Sequence, residues 1–135
     1  MKSVNTPAPI MMGQVLKQVS RSLAGDGLRA SHFRLLAEIS SDGTRVTELS
    51  ERLGMTKQAC GQFVAHLVGT GHVKVQVPPD DRRSRVVVRT AVGDRAATIF
   101  LQRLGTIERG WAERVGARRY AAFRSVLDEL ASSPF

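Results

Sequence analysis

The stretch of sequence that decides the fold lies at residues 47–59 and reads TELSERLGMTKQA. Leu49 and Leu53 stand four residues apart, as on one face of a short helix, and Gly54 is placed to end that helix. Only two or three residues separate this helix from the next one. Thr56 can accept the free N–H groups at the start of that second helix. The stretch therefore predicts a helix, a tight turn and a second helix.

The second helix of this pair has one apolar and one polar face. Its apolar face is expected to be buried and consists of Ala59, Cys60, Phe63, Val64 and Leu67. The helix should end at Gly69 or Gly71, and Thr44 or Thr47 is available to cap the first turn of the helix that precedes it.

A hairpin with a polar tip follows this helix pair. Residues 73–77 alternate between Val and polar residues, and residues 85–90 are rich in Val and Thr, as strands prefer. The residues between them read PPDDRRS and are turn formers and charges. Asp81 stands two residues before Arg83, and on an extended chain its carboxylate can bond and aim the Arg83 guanidinium, which then loses less entropy on binding.

Helices flank this central part on both sides. Apolar residues at helical spacing predict helices at about residues 9–24 and 31–39, and two further helices beyond residue 91 that Gly116 separates. The predicted fold class is mainly α with a small β-hairpin wing, a winged helix-turn-helix with N- and C-terminal dimerisation helices. Residues 1–135 should form a single domain, with the winged helix-turn-helix at 31–90 and dimerisation helices at 9–30 and 91–135.

The apolar stripes of the flanking helices exceed what a small winged module can cover. Such stripes are expected to bury against a second copy of the chain. Trp111 and Tyr120 each combine a large apolar body with one polar group, and we expect them in an interface or core rather than in an effector pocket. The predicted dimer interface comprises Val15, Val19, Trp111, Tyr120, Phe123, Leu127 and Leu130.

The charge of the chain favours a polyanionic partner. The formal net charge is +8, and residues 56–90 carry six basic side chains against only two acids, Asp80 and Asp81. The single cysteine cannot form an internal disulfide, the N-terminus lacks the features of a signal peptide, and no apolar run is long enough to span a bilayer. We therefore expect a cytoplasmic protein without a membrane partner.

The exposed face of the second helix suits the major groove of DNA. It offers small and polar residues, namely Thr56, Lys57, Gln58, Gly61 and Gln62. Gln58 and Gln62 lie on one side of the helix, where Gln can bond adenine through two atoms, and Lys57 suits a phosphate. The alternative is an ordinary solvated helix face.

The hairpin tip suits the minor groove. Arg83 would enter a narrow A·T-rich groove, where negative potential concentrates, while Arg82 and Arg85 meet phosphates and Asp81 orients Arg83. The alternative is a solvated turn with an ordinary surface ion pair.

Other chemistry finds little support in the sequence. His32, His66 and His72 lie on separate elements without Cys, Asp or Glu at ligand spacing, so no metal site is expected. Cys60 lies on an apolar face and is interpreted as an inert core thiol rather than a redox sensor. No Gly-rich phosphate loop, Ser-His-Asp set or suitably placed carboxylate pair occurs. We expect neither an enzyme nor a cofactor.

The order of parts resembles the MarR family of bacterial regulators (multiple antibiotic resistance regulator type) over roughly residues 10–131. The motifs that carry the resemblance are residues 47–59 and Asp81-Arg82-Arg83 leading to Thr90-Ala91-Val92-Gly93. Gly61 and Gln62 depart from the Ser or Thr followed by Arg that relatives often have, and Arg89 stands where an apolar strand residue is common.

The resemblance implies a homodimer held by the first, fifth and sixth helices. It places paired recognition helices in successive major grooves of a palindromic operator in double-stranded DNA, and wings in the flanking minor grooves. It also implies a cleft between the dimerisation and DNA-binding regions in which many members bind small, often aromatic or phenolic, effectors.

The predicted function is a sequence-specific transcriptional regulator, a repressor relieved by such an effector, acting at the bacterial nucleoid. Two alternatives stay open at this point. A winged-helix module can present its positive face to an acidic protein, because a fold does not dictate its partner. A non-specific DNA-binding protein would show the same charge without sequence preference.

Overall fold

A computed structural model describes residues 5–25 and 27–135 of the chain. Its elements are α1 (Ala8–Leu23), α2 (Ala30–Glu38), β1 (Thr44–Arg45), α3 (Val46–Arg52), α4 (Lys57–Gly69), β2 (Val73–Gln76), β3 (Val86–Arg89), α5 (Ala91–Val115) and α6 (Ala117–Ser132). The chain divides into two units, one up to Phe100 and one over Leu101–Phe135. The predicted class, mainly helical with a small sheet, is confirmed.

The sheet has three strands rather than the two of the predicted hairpin. Its order is β1-β3-β2, with both pairs antiparallel, so β3 lies in the middle. Val87 of β3 pairs with Thr44 on one side and with Val75 on the other, and it is fully buried. The added strand, β1, leads directly into α3 and fixes the start of the helix pair to the wing.

The start of α3 differs from the sequence prediction. Arg45 is the residue before the helix and makes no capping bond through its side chain, so the prediction that Thr44 or Thr47 caps this helix is wrong. The first helical N–H, that of Val46, instead donates to the carbonyl of Arg85 at 3.0 Å. The Thr44 hydroxyl is already used, because it accepts the N–H of Ser40 at 2.9 Å.

The turn between α3 and α4 follows the predicted logic. Gly54 has a φ of +63°, which other residues rarely adopt, and the Met55 N–H returns to the Ser50 carbonyl at 2.9 Å. Thr56 accepts the Ala59 N–H at 3.1 Å and thereby caps α4, as predicted. Residues 53–56 separate the helices, slightly more than expected, because Leu53 already lies beyond the last helical residue.

The core of the first unit lies where α2, α3, α4 and β3 meet. Its fully buried side chains are Leu35, Leu36, Leu49, Cys60, Leu67 and Val87. Burying a leucine of this kind contributes about 1.5–3 kcal/mol, so this cluster stabilises the packing of the helix pair. On the predicted apolar face of α4, Ala59 and Phe63 are only half-buried, whereas the other three residues are buried.

One arginine joins three elements of this unit. The Arg89 Nη1 donates to the carbonyl oxygens of Leu36 and Ile39, each at 2.7 Å, and its Nε donates to the Asp94 carboxylate at 2.9 Å. Carbonyls at the end of a helix lack their usual partners one turn further on. The Leu36 carbonyl accepts the Ile39 N–H at 3.3 Å, and Arg89 adds a charged donor to it and to the Ile39 carbonyl. These bonds explain why an arginine fits at this strand position, for which the family resemblance leads one to expect an apolar residue.

The second unit is built from the end of α5 and from α6. Gly116, with a φ of +93°, separates the two helices. The Tyr120 hydroxyl donates to the Glu108 carboxylate at 2.5 Å, and its ring lies 6.5 Å from that of Trp111 and 5.8 Å from that of Phe123. Burial and then Glu108 raise the pKa of Tyr120 above its ordinary value. None of the helices in the described ranges is long and apolar enough to cross a membrane.

Candidate nucleic-acid interface

The predicted recognition residues lie together at the N-terminal part of α4. The five residues Thr56, Lys57, Gln58, Gly61 and Gln62 are all exposed, and Gln58 and Gln62 are one helical turn apart. A Cβ placed on Gly61 would have no heavy atom within 4 Å, so the helix backbone is uncovered at that point. Another macromolecule can therefore approach the backbone of α4 closely at Gly61.

The wing carries an acid with a different role from the one predicted. The Asp81 carboxylate accepts the Ser84 hydroxyl at 2.5 Å and the Arg83 backbone N–H at 3.2 Å. The prediction that it bonds the Arg83 guanidinium is wrong, because the turn brings these two local donors to the carboxylate first. Asp81 therefore orders the backbone from which Arg83 projects, and does not aim its side chain.

The same hydrogen bonds keep Asp81 ionised. They lower the pKa of its carboxyl below the ordinary value, with the Ser84 hydroxyl as the main cause, the Arg83 N–H next, and the charge of Arg45 as a smaller one. The charged carboxylate that holds this turn therefore persists to lower pH than that of an ordinary aspartate.

The arginines of the wing have two different roles: one holds the turn, and two lie at the tip. Arg85 donates from Nη1 to the carbonyl oxygens of Arg82 and Ser84, at 2.9 and 3.1 Å, and so holds the wing turn closed. Arg82 and Arg83 are exposed, and within the described ranges neither forms an ion pair. Their two charges are presented to solvent at the tip of the wing.

Sequence reasoning missed Arg45. This exposed residue of β1 lines a cavity of about 200 Å³ together with Val46, Thr47, Arg83, Ser84 and Arg85. A strand of two residues carries no periodicity, so the only available signal was a basic residue next to the helix pair.

Two of the three histidines lie on separate elements, as predicted, and the fold brings their rings together. The rings of His32 on α2 and His66 on α4 stack at 4.6 Å, and the edge of Phe63 approaches His32 at 5.0 Å. The Nδ1 of His32 accepts the Arg29 backbone N–H at 2.9 Å, so this nitrogen carries no proton. Burial, followed by His66 and Arg29, lowers the pKa of His32.

A second cavity opens beside these rings. It measures about 300 Å³ and is lined by Gly27, Arg29, His32, Gln62, Phe63 and His66. Gln62 thus belongs both to the exposed face of α4 and to the wall of this cavity. Over residues 5–25 and 27–135, no group of three or more His, Cys, Asp or Glu is placed to hold a metal ion.

The residues predicted for a dimer interface fall into two groups. Val15 on α1 and Phe123, Leu127 and Leu130 on α6 expose between 38% and 48% of their surface, whereas Val19, Trp111 and Tyr120 are half-buried. On α1 the exposed apolar surface continues through Ile10, Met12 and Leu16. A single chain therefore leaves large apolar side chains in water on both helices, which is typical of surfaces that a partner covers.

Comparison with known proteins points to one family. Residues 26–84, which include the helix pair and most of the wing, match the model of the MarR family. An uncharacterized protein of Mycobacterium tuberculosis is 26% identical over 107 residues, which cover 79% of this chain and 75% of that protein.

Solved structures resemble the chain over nearly its whole length. The reduced form of MarR from E. coli is 21% identical, with a TM-score of 0.81 over 95% of this chain and 98% of that one. The PcaV transcriptional regulator from Streptomyces coelicolor in complex with its natural ligand is 17% identical, with a TM-score of 0.77 over all of both chains. The S. aureus MepR-DNA complex is 13% identical, with a TM-score of 0.77 over 94% of each chain. These similarities establish the fold.

Proposed function

The winged-helix unit of this chain is of the MarR type, and on that premise we propose that the protein is a dimeric transcriptional repressor that binds a palindromic operator in double-stranded DNA. It acts on DNA in the cytoplasm, at the nucleoid, and not as an enzyme. The solved MepR structure is a complex of a similar fold with DNA, which supports this choice of partner.

The observation that carries the proposal is the uncovered polar face of a capped helix, followed by a basic wing. Gln58 and Gln62 are exposed beside Gly61, where no side chain keeps another molecule from the backbone. A glutamine in the major groove can bond adenine through both of its amide atoms, and each such pair discriminates by about 1–3 kcal/mol. Arg83 at the wing tip suits a narrow minor groove.

A binding titration tests this proposal. Fluorescence anisotropy compares the DNA upstream of the protein's own gene with a random duplex of equal length, at physiological salt. We expect the chain to prefer the upstream DNA. Because a dimer carries two copies of Gln58, Gln58→Ala should weaken that complex by about thirtyfold or more while leaving the random duplex nearly unaffected. Arg118→Ala, an exposed arginine on α6, is the control and should change neither.

The result also separates the alternative functions. A wild-type protein that prefers the upstream DNA no more than the random duplex contradicts a sequence-specific regulator and favours a non-specific binder. Failure to bind either duplex, together with capture of an acidic protein after nuclease treatment, favours a protein-interaction module.

The proposed dimer rests on the exposed apolar side chains of α1 and α6. Sedimentation at micromolar concentration should find a dimer for the wild-type protein and a monomer for Leu127→Asp, because a buried unpaired charge is strongly destabilising. A wild-type monomer would contradict the proposed dimer. It would also contradict the proposal that two protomers bind the two half-sites of a palindromic operator.

We also propose that a small aromatic or phenolic effector relieves the repression. The 300 Å³ cavity combines the Phe63 and histidine rings with the cationic Arg29, a set that suits an aromatic ring bearing an acidic group. Because Gln62 lines this cavity, an occupant would touch the face proposed to read DNA. PcaV, which shares the fold, was solved with its natural ligand.

Benzoate and 4-hydroxybenzoate are suitable probes for this part of the proposal. At millimolar concentration either should raise the melting temperature and weaken the complex with upstream DNA, and Arg29→Ala should abolish both effects. Absence of a shift with both compounds would contradict an effector of this class without affecting the proposal for DNA.

A further inference from the structure

Three arginines converge on one small cavity between the start of α3 and the wing. Arg45, Arg83 and Arg85 line its space of about 200 Å³, together with Val46, Thr47 and Ser84. Residues 45–47 and 83–85 are far apart in sequence, so only the fold brings them together.

The strand pairing holds this cavity in shape. Arg45 pairs with Val86 in the register of β1 and β3, and the Val46 N–H donates to the Arg85 carbonyl at 3.0 Å. The Arg85 guanidinium is in turn fixed by the carbonyls of Arg82 and Ser84. The backbone that carries Arg45 is therefore bonded to the base of the wing before any ligand arrives.

The charges around the cavity are unbalanced. The charge of Arg45 acts on Asp81, whose carboxylate also accepts the Ser84 hydroxyl and the Arg83 N–H. These donors are neutral, so Asp81 stays negative and offsets one of the three arginines. Glu48 on α3 is paired with Arg52 at 2.6 Å. Neither Arg45 nor Arg83 takes part in an ion pair in the described part of the chain. The cavity thus presents an excess of positive charge to an anion.

We propose that Arg45 binds a backbone phosphate of the DNA at the edge of the minor groove that Arg83 enters. This inference rests on the proposed function. The two walls of a minor groove are the sugar-phosphate backbones, so an arginine that borders the same cavity as a groove-inserting arginine meets a phosphate. A guanidinium matches the planar, two-point geometry of phosphate oxygens.

The same contact would position the wing. Because β1 is bonded to β3, an Arg45 held by a phosphate fixes the distance between the backbone of the DNA and the wing turn. Arg45 is thus an anchoring residue that carries no sequence information itself, since phosphate contacts set register and orientation.

The dependence of affinity on salt tests the proposal. Each phosphate neutralised on duplex DNA contributes about 0.9 to the slope of log affinity against log salt concentration. For a dimer with two copies of Arg45, Arg45→Ala should therefore reduce the magnitude of the slope by about two. It should weaken the complexes with upstream and random duplex by the same factor, while Arg45→Lys keeps the slope and Arg118→Ala changes nothing.

The outcomes distinguish this inference from the proposed function. If the wild-type protein binds DNA and Arg45→Ala leaves the slope unchanged, the anchoring role is overturned and the regulator stands. If Arg45→Ala weakens the upstream duplex alone, Arg45 reads bases and the phosphate assignment is wrong. A wild-type protein that binds no duplex overturns the proposed function first.

The phosphate group that Arg45 binds could also come from a small phosphorylated molecule instead of DNA. The protein–DNA complex is titrated with inorganic phosphate and, separately, with chloride at equal ionic strength. Phosphate should displace the DNA no better than chloride does. Saturable binding of inorganic phosphate that Arg45→Ala removes, with an unchanged salt slope for DNA, would overturn the DNA phosphate in favour of a small phosphorylated ligand. Circular dichroism of each variant checks that the fold is retained.

Discussion

Arg89 and Asp94 connect the end of the wing to the start of the long helix, with Nε 2.9 Å from the carboxylate oxygen. The same guanidinium also donates to the carbonyl of Leu36 in α2 and to that of Ile39, the residue after its end. The arginine side chain is only 18% exposed, whereas Asp94 is 62% exposed. The bonds to the carbonyls are thus the sheltered part of this connection, and the ion pair is its solvated part.

Replacing Arg89 should therefore destabilise the fold. Arg89→Met removes the charged donor from two carbonyl groups, and hydrogen bonds of this kind contribute about 1.5–3 kcal/mol. We expect a loss of about 2–3 kcal/mol in the free energy of unfolding, measured by urea denaturation. Asp94→Asn, which weakens only the exposed pair, should cost less than about 1 kcal/mol. Equal losses for the two variants would show that the carbonyl bonds contribute little.

Gly93 is required because α5 begins close to the chain after α4. A Cβ at Gly93 would lie 1.9 Å from the carbonyl oxygen of His72, a backbone atom that cannot move aside alone. Gly93→Ala should cost more than about 3 kcal/mol in unfolding free energy, as overpacking against backbone does. Gly110→Ala on the same helix has open space and should stabilise by about 0.5–1 kcal/mol. A Gly93→Ala protein as stable as the wild type would contradict this packing.

His32 should make stability depend on pH. Its pKa is lowered in the folded protein, first by burial and then by His66 and Arg29, so the folded state favours the neutral ring. The stabilisation is complete above the ordinary histidine pKa of about 6.5 and is lost as the pH falls through it towards the folded value.

Urea denaturation from about pH 7.5 to about pH 5 measures this loss. His32→Gln, whose amide oxygen can still accept the Arg29 N–H, should reduce the pH dependence. His72→Gln should keep it, since His72 lies outside the stack. If His32→Gln retained the full dependence, another group would be responsible.

The Ser84 hydroxyl should control the titration of Asp81. Because the folded pKa of Asp81 is lowered, its contribution to stability is present above the ordinary aspartate pKa of 3.8 and is lost as the pH falls through the folded value. Ser84→Ala removes the main cause and should move the pKa of Asp81 back towards the ordinary value, as followed by NMR of the carboxyl carbon. Ser84→Thr keeps a hydroxyl and should keep the lowered pKa; a shift as large as that of the alanine variant would contradict the assignment.

Local patterns predicted most of the helices and the turn between α3 and α4. The spacing of Leu49, Gly54 and Thr56 carries its own physical cause, since each residue acts on neighbours within one helical turn. The exposed face of α4 followed from the same periodicity. What depends on nearest neighbours along the chain could be predicted from the chain.

Contacts between distant residues could not. Strand β1 exists only because Thr44 meets Val87, and two residues offer no alternation to recognise. The stack of His32 on His66 and the bonds from Arg89 to α2 likewise join residues that are far apart in sequence. The error on Asp81 has another cause, since its partners are close in sequence. The prediction assumed an extended chain, whereas the turn brings the Arg83 N–H and the Ser84 hydroxyl to the carboxylate.

The central place of β3 in the sheet has a consequence for how the protein behaves when it accumulates. Both hydrogen-bonding edges of β3 are occupied, by β1 and by β2, and the outer strands are two and four residues long. Unpaired edges are the templates on which foreign strands add and aggregation begins. Because the open edges of this sheet are so short, the wing should resist cross-strand recruitment even at high cellular concentration.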